Sequence, residues 1–168
     1  MRNKRIPRVP QPAVILLFIL GIAFPLSGQT LLLFVQESAA GVPLAPPLAV
    51  REGIAAALFA AGVIVVEVPP AYDRPKDPAA FAREAGADLL LDVAASYAET
   101  SAGANGARVT VRTTFTLIDV ETGATLAQSS LDATNADRET SVDRSALGGE
   151  IGAWVAGSVE KAIAAWTS

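Results

Sequence analysis

The chain contains no cysteine and no histidine. Without cysteine it has no disulfide, no thiolate metal site, no cysteine nucleophile and no residue to carry the lipid of a bacterial lipoprotein. Without histidine it has no Ser-His-Asp catalysis, no imidazole-based metal site and no usual general base near neutral pH. Long apolar runs are also missing. The stretch at residues 13–24 is 12 residues long, whereas a helix needs roughly 20 to cross a hydrocarbon core. Basic charge is scarce beyond the start of the chain. All 17 Asp and Glu follow Gly28 while four of the 13 Lys and Arg precede it, so residues 29–168 hold nine cations against 17 acids, a net −8. Such a surface repels phosphate backbones, and no basic stripe interleaved with aromatics occurs, so nucleic acid is not an expected partner.

What is present begins with an address. Arg2, Lys4, Arg5 and Arg8 precede the apolar run, and Pro25, Ser27 and Gly28 follow it, the three-part layout of a secretory signal. Residues 1–28 are expected to be that signal, giving a mature start at Gln29, or at Phe24 from an earlier cut. Residues 29–168 are then expected to form a single periplasmic or secreted domain. In the alternative, the signal stays attached as an inner-membrane anchor, the one membrane contact expected of this chain.

Apolar patterning divides the rest. Residues 30–35 (Thr-Leu-Leu-Leu-Phe-Val) read as a first strand buried on both faces, followed by a proline-rich loop at 38–47. Val50, Ile54 and Leu58, with Ala57 and Ala61, recur at helical spacing over 48–61, and Gly62 suits the left-handed position that ends a helix. Residues 63–68 are β-branched and predict a second buried strand. Asp77, Pro78 and Gly86 punctuate a short second helix. Leu89, Leu91, Val93, Ala95 and Tyr97 alternate along a third strand at 88–99. A turn containing Asn105-Gly106 leads to a fourth strand, in which Val109, Val111, Phe115 and Leu117 alternate with Thr110, Arg112, Thr114 and Thr116. A tight turn at 119–123 returns the chain as a polar fifth strand at 124–133, the character of an edge. The last helix, about 145–166, carries a stripe of Leu147, Ile151, Trp154, Val155, Ser158, Ala162 and Trp166. Its glycines at 148, 149, 152 and 157 are expected to let it approach the sheet.

The order β-α-β-α-β-β-β-α predicts an α+β fold with a mixed five-stranded sheet and helices packed on it. The opening strand, the helix ending at Gly62, the Gly86-Ala87-Asp88-Leu89-Leu90-Leu91 entry to the third strand and the Asp119-x-x-Thr122-Gly123 hairpin together resemble an exported superfamily. That superfamily contains the TolB amino-terminal domain, the penicillin-binding-protein activator LpoB and the curli secretion protein CsgG. The resemblance covers most of residues 30–166. It implies a non-enzymatic periplasmic domain that binds another envelope protein. The lipidated cysteine of LpoB-like and CsgG-like members has no counterpart here, and the connectors are shorter than the membrane-spanning hairpins of CsgG-like pores. No cofactor is assigned.

Several polar groups stand out from this frame. Asp88 and Asp92 flank Leu89-Leu90-Leu91 and, four apart in a strand, point to one face. Paired carboxylates can do acid–base work when one stays protonated, but strand-end acids read more simply as structural. Gln36, Glu37 and Ser38 fall just past the first strand, where open sheets place ligand crevices. No Gly-rich phosphate cradle follows them, and they read as a plain loop. A small-ligand or carboxylate-dependent enzyme site there is the rival reading. Tyr72, Asp73, Arg74, Lys76 and Asp77 lack the alternation of a calcium loop and read as a solvated turn, as do Arg138, Glu139, Asp143 and Arg144. Trp154 and Trp166 read as sheet-packing residues, with Trp166 alternatively an exposed interface anchor. The expected partner-binding surface is the wet face of Thr110, Arg112, Thr114 and Thr116 beside an edge strand containing Gln128.

Overall fold

Leu31, Leu32, Leu33 and Phe34 present apolar side chains to both sides of a strand, which is stable only where both faces of a sheet are covered. In the computed structural model, which describes residues 28–39, 42–43, 49–68, 75–101, 107–135 and 144–168, they occupy such a place and all four are buried. Their strand, β1 (Thr30–Ala39), pairs in parallel with β4 (Leu89–Ser101) on one side. On the other side it pairs in parallel with β3 (Ile64–Glu67) and antiparallel with the two-residue β2 (Val42–Pro43). Antiparallel pairing continues from β4 to β5 (Ala107–Asp119) and from β5 to β6 (Thr125–Asn135). The spatial order is β2-β1-β4-β5-β6, with β3 also beside β1. The five expected strands are thus joined by one short addition, in the expected α+β arrangement.

Helices α1 (Ala49–Ala60) and α3 (Arg144–Trp166) cover one face of the sheet, where Val50, Ile54, Leu58, Ile151, Val155 and Val159 meet Leu31, Leu91, Phe115 and Leu117. The short α2 (Pro78–Glu84) covers part of the other face, with Ala82 packed among Leu32, Phe34, Leu90 and Val120. Helix ends follow their sequence signals. Asp77 caps α2 by accepting the Ala80 N–H at 2.9 Å, and Pro78 opens it where a missing N–H is harmless. Gly62 and Gly86 adopt left-handed φ of 81° and 73° after α1 and α2. The following N–H groups of Val63 and Ala87 then return to Leu58 O and Ala82 O at 3.1 and 3.0 Å. Among the described residues no helix is long and apolar enough to cross a membrane. Residues 1–27 of the expected signal lie outside the described residues, as do 72–74 and 138–143 of the two polar loops.

Four expectations are corrected. The first strand runs past Val35 to Ala39, because Glu37 finds buried hydrogen-bond partners and need not turn into solvent. The second strand is not buried: it pairs with β1 alone among the described strands, which leaves Ile64 53% and Val66 36% exposed at the sheet margin. The stripe of α3 is centred on Leu147, Ile151, Val155, Val159 and Ile163, since the helix packs against α1 as well as the sheet, while Trp154, Ser158 and Ala162 lie at its border and Trp166 is partly exposed. The glycines of α3 approach α1 and not the sheet. A Cβ on Gly148 would overlap the Ala49 carbonyl, one on Gly152 the Gly53 carbonyl, and one on Gly53 the Gly148 carbonyl. Gly149 and Gly157 face open space.

Candidate functional site

The β5–β6 hairpin starts from the turn that the Asp119-x-x-Thr122-Gly123 motif builds. Asp119 Oδ1 accepts the N–H groups of Glu121 and Thr122 at 2.9 and 3.4 Å, and its Oδ2 accepts the Thr122 hydroxyl at 2.7 Å. Gly123, at φ 72°, sends its N–H back to Asp119 O at 2.8 Å. The Thr122 hydroxyl, then the two backbone donors and Trp166, hold the Asp119 carboxyl below the usual carboxylate range against the opposing effect of burial.

Beyond the turn the register sets four polar cross-strand pairs on one face: Thr116 with Gln128, Thr114 with Ser130, Arg112 with Asp132 and Thr110 with Thr134. All five residues expected to bind a partner are brought together here. Arg112 grips Asp132 through two bonds of 2.9 and 3.0 Å, and the Thr110 and Thr134 hydroxyls lie 3.2 Å apart. The shared hydrogen bonds and charges raise the Arg112 pKa and lower that of Asp132. On the neighbouring β4, Ala94, Ser96 and Ala98 are exposed on the same face. None of the described helices covers the polar face of β5 and β6, although α3 packs on their opposite face, and among the described strands β6 is the free edge. A bulge at Leu126, where the pairing steps from Leu117–Ala127 to Ile118–Thr125, bends that edge near its start.

The rival carboxylates do different work. Asp88 accepts the Thr30 N–H on its Oδ2 at 2.8 Å, while its own N–H goes to Thr30 O and its carbonyl accepts from Val120. It stitches β1, β4 and the hairpin turn together. Asp92 sits within β4 opposite Phe34 and Thr116 and is half-buried. Among the described residues no cluster of three or more acids could hold a metal ion. An open groove of about 500 Å³ lies between α1 and α3, lined by Ala49, Glu52, Gly53, Ala56, Ala57 and Gly149, on the opposite face from both aspartates.

Glu37, expected in a loop, lies inside β1 and is only 5% exposed. Its Oε1 accepts the Arg51 N–H at 3.1 Å in the first turn of α1, and its Oε2 accepts the Tyr97 hydroxyl at 2.6 Å. The Arg51 guanidinium in turn bonds Glu67 Oε2 at 2.9 Å and Val68 O at 2.6 Å. One network therefore joins β1, β3, β4 and α1. A signal for it existed: Glu37 continues the Leu31, Leu33, Val35 alternation onto the helix-covered face, as Tyr97 continues that of Leu89 to Ala95.

No protein-family model and no curated protein matches the chain. Solved structures do. The PelC dodecamer from Paraburkholderia phytofirmans is 19% identical, with a TM-score of 0.54 over 76% of this chain and 84% of that one. Lipoprotein GNA1162 from Neisseria meningitidis is 17% identical, with a TM-score of 0.53 over 80% of this chain and 99% of that one. TolB from Acinetobacter baumannii matches at 15% identity and a TM-score of 0.48, over 83% of this chain and 29% of TolB, too distant to carry an argument. The chain shares its fold with the first two of these structures.

Proposed function

We propose that the protein is an exported, non-enzymatic interaction module of the cell envelope, and that it binds through the β5–β6 hairpin. The observation that carries this reading is the uncovered polar face, in which Thr110, Arg112, Thr114, Thr116 and Gln128 stand in register beside a free edge strand. An edge offers backbone donors and acceptors to an added strand, and the flanking side chains give that strand specificity. The signal layout at residues 1–28 supports export, and an intact mass starting at Gln29 or Phe24 tests it. Fold neighbours support the same kind of role, one being a lipoprotein and another solved as a dodecamer. The engagement of Asp88 with Thr30 and of Glu37 with Arg51 and Tyr97 argues against a carboxylate-dependent enzyme.

Two variants separate the readings in an envelope pull-down. Thr114→Arg places a long cation in the middle of the open face and should abolish partner capture while the protein stays folded. Asp88→Asn combined with Asp92→Asn should leave capture intact. The opposite pattern, with the Asn pair abolishing the cellular phenotype in a folded protein, would replace this reading with the enzyme or ligand-binding one.

A further inference from the structure

Thr30, the first residue of β1, is fastened to Asp88 from both sides. Its N–H donates to Asp88 Oδ2 at 2.8 Å, and its carbonyl accepts the Asp88 N–H at 2.8 Å. The Asp88 carbonyl in turn accepts the Val120 N–H at 3.0 Å. Gln29 alone stands between this three-way stitch and Gly28. Gly28 is exposed, its φ of 115° lies in the region that favours glycine, and a Cβ added to it would meet open space. The peptide bond between Gly28 and Gln29 therefore lies at the outer limit of the packed domain, after the small residue at which the signal layout ends.

Gln29 is half-buried, and its side-chain oxygen Oε1 is buried with no hydrogen-bond partner among the described residues. An acceptor in that position is unfavourable, because the water it gave up on burial has not been replaced by a donor. Swinging the side chain outward breaks no hydrogen bond at this oxygen and returns it to water. Once the bond to Gly28 is cut, the freed α-amine belongs to the same residue, and its attack on the side-chain amide carbon closes a five-membered ring. With an ordinary α-amino pKa of about 7.7–8.0, a fraction of such amines is unprotonated and nucleophilic near neutral pH.

We infer that Gln29 is a modification site, at which the exported chain closes its own amino terminus into pyroglutamate. The step needs no second reactant. The lone pair of the α-amine attacks Cδ, the bond from Cδ to the amide nitrogen breaks, and that nitrogen leaves as ammonia with the proton given up by the amine. This goes beyond the interaction-module reading and rests only on its export step. The lactam carries no charge and offers no free amine to an aminopeptidase. Its value to the fold follows from the stitch: a peptidase that removed Gln29 and then Thr30 would strip both of the bonds between Thr30 and Asp88. A lactam at position 29 blocks the first cut.

Intact mass and Edman degradation of the exported protein, aged at neutral pH, test this. The chain should be lighter by one ammonia than Gln29–Ser168. It should yield no sequence until pyroglutamyl peptidase, acting on the unfolded chain, exposes Thr30. Gln29→Asn should keep its full mass and yield sequence directly, because the shorter side chain could close only a strained four-membered ring. A free amine at Gln29 in the aged protein, or a chain starting at Phe24, would overturn the inference and leave the export reading standing. Retention of Arg2–Arg8 would overturn both. A folded chain that keeps its amine while the same chain converts in urea would also overturn the inference, since the fold would then be holding the Gln29 side chain away from its amine.

Discussion

Glu37 and Arg51 are joined through the backbone. The carboxylate of one, deep in the end of β1, accepts the N–H of the other in the first turn of α1 at 3.1 Å. The acid thus serves as a distant cap for a helix whose own sequence supplies no Ser, Thr, Asp or Asn before Ala49. The Tyr97 hydroxyl completes the arrangement, and the Arg51 side chain anchors the same turn to β3.

Glu37→Leu should therefore be strongly destabilising. It leaves the Tyr97 hydroxyl and the Arg51 N–H without that acceptor, at about 1–3 kcal/mol for each buried donor. Glu37→Gln keeps one acceptor oxygen and should cost less. Urea unfolding of the two variants measures this, and equal midpoints would show that hydrogen bonding at Glu37 carries little weight.

The α1–α3 contact divides the glycines of one helix into two classes. Gly148→Ala and Gly152→Ala push a methyl group into the backbone of α1 and should cost about 1–3 kcal/mol or more. Gly149→Ala and Gly157→Ala meet open space and should add up to about 1 kcal/mol of helix stability. Thermal unfolding of the four variants should separate them into two groups of opposite sign.

Asp119 and Asp132 make stability depend on acid. Both have folded-state pKa values below the ordinary 3.8, Asp119 chiefly through the Thr122 hydroxyl and Asp132 chiefly through its hydrogen bond with Arg112. A depressed carboxyl contributes stability that is fully present above its unfolded value and is lost as pH falls through its folded value. The melting temperature should hold at neutral pH and drop below pH 3.8. The difference between wild type and Asp119→Ala should narrow over that acid range. A difference independent of pH would remove Asp119 from the account.

Much of the fold was legible because its signals are local. The runs at Leu31–Phe34 and Leu89–Leu91 are apolar on both faces, and the caps at Asp77, Gly62 and Gly86 carry their meaning in single residues. The polar alternation of Thr110, Arg112, Thr114 and Thr116 likewise specified an open face. What stayed illegible depends on partners distant in sequence. Residues 63–68 have the composition of a central strand, and only their pairing with β1 alone among the described strands makes them an edge. Glu37 after an apolar run reads as a solvated end until Tyr97, 60 residues away, supplies the donor that buries it. Gly148 and Gly152 are helix-weakening in isolation and become necessary only opposite Ala49 and Gly53.

Photo-crosslinking in the intact envelope tests the central claim most directly. A photoreactive amino acid at Thr114 sits in the middle of the open face, and one at Glu160 sits on the exposed side of α3. The account predicts that Thr114 yields a discrete adduct with a defined envelope protein and that Glu160 yields none. Equal labelling from both positions, or no adduct at Thr114 in a folded and exported protein, would contradict it.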